Sequence, residues 1–245
     1  MSDLSASPAE AVPTERPTLV WDAPVRVFHW LMVLCFAGAY LTAESERWRL
    51  VHVTLGYTLA GLVAGRLIWG LMGTRYARFS QFVRGPAAIG RYLRSLLRGQ
   101  PEHHVGHNPA GALAIVALLG TALLVVAAGW ATYNDLGGEW LEEAHEVAAN
   151  VMLLIVGVHV AGVIVSSRLH KENLVKAMVT GQKPGPSQDS IRSTWRSLAA
   201  LILVGVVGFW WWQWHNAPTG GGVTDRAGSL QAEASGDTKH DDDDD

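Results

Sequence analysis

The sequence predicts an all-α integral membrane protein: a four-helix transmembrane bundle followed by a fifth transmembrane helix. Hydrophobic residues make up 49% of the 245 residues and charged residues only 17%, whereas soluble globular chains carry roughly 25% charged residues. Five apolar stretches each approach the ~20 residues that a helix needs to cross the hydrocarbon core, and a helix satisfies its own backbone polar groups without water. These stretches are about Val27–Ala43, Val51–Met72, Ala110–Ala131, Val147–Ser167 and Leu198–Trp214.

Polar segments divide the chain further. Residues 1–24 read as a loose polar tail, without the basic region and apolar core of a cleaved signal peptide. The bundle covers residues 25–183, a linker covers 184–197, and the fifth helix covers 198–215. Residues 216–245 are rich in Gly, Ser, Ala and acidic residues, so we expect them to be disordered. This acidic tail is either a solvated end or a flexible arm that attracts a basic periplasmic partner.

The distribution of Lys and Arg predicts the orientation in the membrane. Six Arg lie between the second and third stretches and six Lys or Arg between the fourth and fifth, whereas the loop between the third and fourth stretches has none. Since positive loops stay in the cytoplasm, we expect a cytoplasmic N-terminus and a periplasmic C-terminus in a bacterial inner membrane. Neither block suggests a nucleic-acid-binding face. The loop without basic residues carries Asp135, Glu139, Glu142 and Glu143.

The single cysteine, Cys35, limits the metal chemistry that is open to the chain. It excludes an intrachain disulfide, a covalently attached c-type haem, which needs a C-x-x-C-H motif, and an iron–sulfur cluster held by four thiolates. Metal binding must therefore depend on the ten histidines.

Four histidines lie in or at the ends of the predicted helices: His29, His52, His145 and His159. Ionisable residues are costly inside a membrane, so such residues indicate function. His145 and His159 are fourteen residues apart on the fourth helix, a turn of about 1400° that ends within ~40° of four full revolutions and rises ~21 Å. They share one face at two depths, as two stacked cofactors would require.

The predicted topology pairs these histidines by depth. His52 and His145 fall near the outer side, and His29 and His159 fall near the inner side. Imidazole nitrogen suits iron, and facing helices of a bundle commonly hold a cofactor between them. We therefore expect two haem b groups, each with two axial histidines. Because such iron has no open position, the chemistry would be one-electron transfer rather than oxygen binding.

Two arginines are candidates for contact with the haem propionates. Arg66 follows His52 by fourteen residues and so lies on a similar face at the inner level, where a buried Arg needs an anion. Arg26 precedes His29 by about one turn. Alternatively, Arg66 extends its side chain to the headgroups at the inner membrane surface. Arg26 in turn could belong only to the positively charged cytoplasmic flank of the first helix. Glycines on the same helices allow either helix packing or close approach of a macrocycle: Gly56, Gly61, Gly65, Gly157 and Gly162.

The remaining histidines are interpreted as interfacial or solvated. His103, His104 and His107 lie in the basic inner segment, His170 follows the fourth helix, and His215 ends the fifth. As an alternative, His107 or His170 lines a quinone or proton path near the inner haem.

Several short motifs follow one another in the order of the predicted helices, over about residues 18–183. They are Val20–Trp30, His52 with Gly56 and Tyr57, Gly65–Gly70, Arg75–Phe79, Gly106–Gly111, His145 with Glu146, His159, and Ser167–Lys183. Together they resemble the bacterial cytochrome b561 family, including the cytochrome b subunits of nickel–iron hydrogenases. The resemblance implies a diheme, quinone-reactive membrane cytochrome with His29, His52, His145 and His159 as axial ligands. The fifth helix and the acidic tail depart from the smaller four-helix members.

The sequence therefore predicts a protein that relays electrons between quinone or quinol in the lipid bilayer and a periplasmic redox partner. That partner is a c-type cytochrome, or a dehydrogenase or hydrogenase. The haems would carry the chemistry, and no side chain is predicted to be catalytic. The alternative is a transporter or metal-ion carrier that uses the same histidines as a relay. A third possibility is a structural anchor for a partner complex.

Overall fold

The structure, a computed structural model, describes residues 16–99, 102 and 104–217. The predicted disordered tail from residue 218 onward and the first fifteen residues lie outside this range. In chain order the elements are β1 (Arg16–Leu19), α1 (Ala23–Thr42), α2 (Arg49–Met72), α3 (Phe79–Phe82), α4 (Pro86–Leu97), α5 (Pro109–Tyr133), α6 (Glu139–Leu169), α7 (Leu174–Thr180), β2 (Gln182–Gly185) and α8 (Arg196–His215). Short 3₁₀ turns lie at Glu46–Trp48 and Ser187–Asp189.

Among the described residues, five helices are long and apolar enough to cross a membrane: α1, α2, α5, α6 and α8. Their outward apolar side chains are widely exposed, including Leu41 at 84% and Leu71 at 73%. Large apolar surfaces of this kind are costly in water but suited to lipid. The prediction of an all-α, multi-pass membrane protein is therefore confirmed.

Residues up to Val206 form one unit, in which α1 packs against α2, α5 packs against α6, and α2 also contacts α5. Small residues allow α1 and α2 to approach closely. A Cβ at Gly38 would lie 2.6 Å from Leu55, and one at Gly65 would lie 2.9 Å from Phe28. Of the two roles that the sequence allowed for Gly65, helix packing or close approach of a macrocycle, the structure thus supports helix packing. The described residues from Val207 onward form the last turns of α8 and belong to a second unit.

The predicted bounds of the fourth membrane helix are wrong at its N-terminus. α6 begins at Glu139 rather than at Val147, so Glu139, Glu142 and Glu143 lie in the helix and not in a loop. Hydropathy detects only the part of a helix that suits lipid. The extra turns are polar, and acidic residues in a first turn interact favourably with the helix dipole.

The connections at the N-terminal end of α1 build an ordered region that hydropathy did not predict. We call the described residues among 16–22, 73–108 and 170–195 the cap. β1 pairs antiparallel with β2 in the register Arg16↔Gly185, and α3, α4 and α7 complete the region. The cap combines the start of the chain with both basic connections.

The expectation of a loose N-terminal tail is wrong for its described residues. Val20 is fully buried, and the backbone N–H groups of Val20 and Trp21 donate to the carbonyl of Gly181 at 2.8 and 3.0 Å. Gly181 ends α7 with a φ of 84°, and a Cβ there would lie 2.6 Å from the Trp21 carbonyl oxygen. A glycine is therefore required at this close approach. The tail is held by pairing with residues that lie far away in sequence.

Asp22 joins the cap to the two first membrane helices. Its side chain is fully buried, and its Oδ1 accepts a 2.8 Å hydrogen bond from the Val25 N–H, which caps the N-terminus of α1. Its Oδ2 accepts hydrogen bonds from Trp69 Nε1 at 3.1 Å and Thr74 Oγ1 at 2.6 Å. One carboxylate therefore ties the start of α1 to the end of α2 and the segment that follows it.

Asp22→Ala should destabilise the protein strongly, because it removes a helix cap and leaves the Trp69 Nε1 and Thr74 Oγ1 donors without their acceptor. We expect a loss of about 3 kcal/mol or more, measured as a lower midpoint of thermal unfolding of the detergent-solubilised protein by circular dichroism. Glu46→Ala is the matched control, because Glu46 forms an exposed ion pair with Arg49 and exposed pairs add little. Similar midpoints for the two variants would contradict the role assigned to Asp22.

Candidate haem-binding site

The structure brings His52 of α2 and His145 of α6 together. Their ring centroids are 6.1 Å apart, and the rings are inclined at 81°. Both side chains are half-buried. The two residues that the sequence paired by depth are therefore neighbours in the folded chain.

Backbone carbonyls orient both of these rings. His52 Nδ1 lies 2.9 Å from the carbonyl oxygen of Ala39, and His145 Nδ1 lies 2.9 Å from that of Val125. A carbonyl can only accept a hydrogen bond, so Nδ1 carries the proton in each ring and Nε2 is the basic nitrogen. Metal-ligating histidines are commonly fixed in this way by a second partner. Both rings thus present the nitrogen that iron requires.

Glycines leave room beside this pair. A Cβ at Gly129 of α5 would lie 2.7 Å from the His145 ring, so only glycine allows the ring its position. Gly56 follows His52 by about one turn, and a Cβ there would meet no atom within 4 Å. The sequence left Gly56 either a helix-packing role or close approach of a macrocycle, and the open space beside it fits the second. Gly129 was missed, because its contact is with another helix and no local pattern marks it.

His29 and His159 form the second pair. They lie close enough for their charges to interact, and both are half-buried. The His29 ring meets Trp30 edge-on, with centroids 4.9 Å apart. Its buried Nδ1 has no hydrogen-bond partner among the described residues. Within the described residues, His29 therefore lacks the carbonyl bond that orients His52 and His145.

Arg66 is buried beside the His29 end of the bundle. It is only 5% exposed, so it does not snorkel to water. Its Nη2 donates to the Ala77 carbonyl at 3.3 Å, and its guanidinium lies 5.0 Å from the centroid of the Phe79 ring. Its buried Nη1 has no hydrogen-bond partner among the described residues. An unsatisfied buried guanidinium nitrogen fits an anionic group such as a haem propionate.

Arg26 makes different contacts. Its Nη1 donates to the Val179 carbonyl at 2.6 Å, and its Nε donates to the Asp22 carbonyl at 3.4 Å. Trp30 Nε1 likewise donates to the Met178 carbonyl at 3.3 Å. These bonds satisfy carbonyls near the end of α7 and attach it to α1. A cofactor-binding role for Arg26 stays a prediction.

His107 is half-buried in the cap, where the sequence interpretation made it interfacial or solvated. Its ring packs against both Trp21 and Phe82, with centroid distances of 4.4 and 4.5 Å. Burial lowers the pKa of His107 to about 3, and the charges of Arg66 and Lys183, with those of His159 and His29, add to this effect. His107 is therefore a neutral imidazole at neutral pH. Its buried Nδ1 lacks a hydrogen-bond partner within the described part of the chain.

The other histidines lie where the sequence placed them or outside the described residues. His104 contacts Glu102 at 3.6 Å in the cap, and His170 caps the C-terminus of α6. His215 packs on Trp211, with ring centroids 3.9 Å apart. His103 is not among the described residues.

The donor set fits a haem. Haem iron already has four porphyrin nitrogens, so two imidazoles from facing helices complete its coordination. In residues 16–99, 102 and 104–217, no group of three or more His, Cys, Asp or Glu is arranged to hold a bare metal ion. The oriented His52 and His145 rings and the unsatisfied Arg66 nitrogen both suit this group.

The chain has recognisable relatives. Residues 20–181 match the family model described as prokaryotic cytochrome b561. A protein of Rhodobacter capsulatus, named a probable Ni/Fe-hydrogenase B-type cytochrome subunit, is 20% identical over 74% of this chain and 87% of its own length. A protein with that name from Azotobacter vinelandii is 25% identical over 70% of this chain and 90% of its own length. Another, from Azotobacter chroococcum, is 29% identical over 54% of this chain and 67% of its own length.

No solved structure matches the chain significantly. The family match covers the first four membrane helices, both histidine pairs and most of the cap. The resemblance found in the sequence motifs is therefore confirmed, and the chain belongs to the prokaryotic cytochrome b561 family of b-type, electron-transferring membrane proteins.

Proposed function

We propose that this protein is a diheme cytochrome b that transfers electrons between quinone in the bilayer and a redox partner on the periplasmic side. The observation that carries the proposal is the pairing of histidines at two levels. The rings of His52 and His145 have centroids 6.1 Å apart, and both Nδ1 atoms are bonded to carbonyls. His159 of the second pair lies fourteen residues beyond His145 on α6. A rise of ~21 Å separates the two levels.

The chain's own groups would hold and insulate the two haems. His52 and His145 would hold the iron of one haem, and His29 and His159 that of the other. Arg66 would hold a propionate of the haem at the His29 end. A haem with two axial imidazoles exchanges single electrons and binds no oxygen. The protein would contribute helices that exclude water and hold the ligands at fixed spacing, whereas the haems would supply the redox chemistry.

The partner is proposed to be a hydrogenase, because the relatives carry the name of hydrogenase cytochrome subunits. A c-type cytochrome or another dehydrogenase remains the alternative. For the orientation we propose a cytoplasmic cap and N-terminus and a periplasmic C-terminus. The gathering of both basic connections in the cap supports this, since positive segments stay inside.

A quinone site is proposed near the haem at the His29 end. Its support is His107, a neutral imidazole with a buried, unpartnered Nδ1 close to both His29 and His159. Such a group can donate or accept a hydrogen bond at a quinone oxygen. The buried aromatic rings of Trp21 and Phe82, which pack against His107, suit a flat ring system.

Purified protein should contain about two haem b per chain, because each histidine pair supplies both axial ligands of one iron. Pyridine haemochromogen analysis with a protein assay measures this ratio, and the visible spectrum should show low-spin haem. A colourless, well-folded protein would favour the transporter or metal-ion carrier. One haem per chain would reject one of the two pairs.

His52→Ala and His145→Ala should each remove the same haem and leave the other, because the two residues share one iron. Redox titration monitored by absorbance identifies which haem is lost. His215→Ala is the matched control, since His215 lies at the end of α8 and packs on Trp211, and it should keep both haems. Loss of different haems from the two bundle variants would show that the pairing is wrong. If the protein were only a structural anchor, assembly would survive both substitutions.

Quinol analogues should perturb the spectrum of the haem at the His29 end and not that of the other haem. His107→Ala should weaken this effect by roughly tenfold, the cost of one lost hydrogen bond of ~1.4 kcal/mol. His104→Ala is the control, because His104 lies in the same cap segment but contacts Glu102. Perturbation of only the haem held by His52 and His145 would move the quinone site to the opposite end.

A further inference from the structure

A groove of about 290 Å³ lies on the face of α1 that points away from the proposed haem ligands. Its lining is Ala23, Arg26, Val27, Trp30, Leu31, Val179 and Leu203. The α1 members recur at intervals of three and four residues and so share one face. His29 points about 130° away from that face at 100° per residue. The groove is therefore separate from the histidine pairs.

Arg26 lines this groove, and a second arginine, Arg196, lies near Arg26. The Ala23 N–H donates to the Thr194 carbonyl at 2.9 Å, which holds the start of α8 beside the start of α1. Arg196, two residues further on, is close enough to Arg26 for their positive charges to repel. The first turn of α8 contains no acidic residue. Two positive side chains are thus close together near the apolar groove.

No carboxylate in the described part of the chain is within salt-bridge distance of either arginine. Asp22 is the nearby acid that attracts Arg26, but its oxygens accept hydrogen bonds from Val25, Trp69 and Thr74. The hydrogen bonds of Arg26 go to neutral carbonyls. The positive charge of this pair is therefore left for an external anion.

We propose that this groove binds one anionic phospholipid, with its phosphate between Arg26 and Arg196 and one acyl chain along the apolar lining. Basic pockets between membrane helices on the cytoplasmic side bind anionic headgroups, and guanidinium groups match the geometry of phosphate oxygens. Apart from Arg26, the side chains of the lining are apolar or aromatic, as an acyl chain requires.

A quinone fits this groove less well than a lipid. A quinone ring is neutral and would leave both positive charges uncompensated. The other donor in the lining, Trp30 Nε1, already donates to the Met178 carbonyl. The groove thus needs a ligand that combines a negative headgroup with an apolar chain.

The test is a lipid titration of the purified holoprotein by native mass spectrometry, with phosphatidylglycerol and phosphatidylcholine as probes. We expect one tightly bound phosphatidylglycerol per chain and binding of phosphatidylcholine at least several-fold weaker. Arg196→Gln should weaken phosphatidylglycerol binding about tenfold, equal to ~1.4 kcal/mol. Leu203→Trp should reduce binding of the same lipid by filling the groove while keeping both charges. Haem absorbance identifies folded protein in every sample.

Arg91→Gln is the matched control, because Arg91 is an exposed arginine of α4 and does not line the groove. It should leave the tight site unchanged. An equal loss in Arg91→Gln and Arg196→Gln would mean general attraction to a basic surface and would overturn the proposal. Equal affinity for the two lipids, or displacement of phosphatidylglycerol by a quinone analogue, would also overturn it.

Discussion

The buried carboxylate of Asp22 is the constraint on which the arrangement of the cap and the first two helices depends. A charge with no exposure to water must be met by donors and opposite charges. Asp22 meets this requirement with three hydrogen bonds and with the nearby charges of Arg26 and Arg66. These partners come from α1, α2 and the segment after α2, so satisfying one group sets the relative positions of all three.

The two histidine pairs are supported by different kinds of group. Backbone carbonyls of neighbouring helices orient His52 and His145, because each carbonyl can accept a hydrogen bond from a ring Nδ1. His29 and His159 instead lie near the neutral ring of His107, whose surroundings also include the charge of Arg66. One pair is therefore oriented by neutral carbonyl dipoles, whereas the other lies near His107. Iron centres at the two levels would experience different electrostatic surroundings.

Much of this architecture could be predicted because its signals are local. Hydropathy located the five membrane helices, and the spacing of His145 and His159 on one helix indicated a shared face without knowledge of any neighbour. The cap could not be predicted in this way. Its ribbon joins Arg16–Leu19 to Gln182–Gly185, and no periodicity in either segment marks the other. The packing of His107 against Trp21 and the contact of Gly129 with His145 likewise depend on residues distant in sequence.

The arginines near the cap differ in their surroundings, since one is enclosed in the bundle and two lie near its surface. The charge balance at this end of the bundle accounts for the anion that each would need. Asp22 is a fully buried acid close to both Arg26 and Arg66, and Arg196 adds a further positive charge beside Arg26. One carboxylate cannot neutralise three guanidinium groups. Arg66 is enclosed, so its unsatisfied nitrogen calls for an anion inside the bundle, as a propionate is. Arg26 lines an open groove and lies near Arg196, so an anion for these two groups can come from the bilayer. The same excess of positive charge would thus be met by the proposed cofactor inside the bundle and by the proposed lipid at the groove.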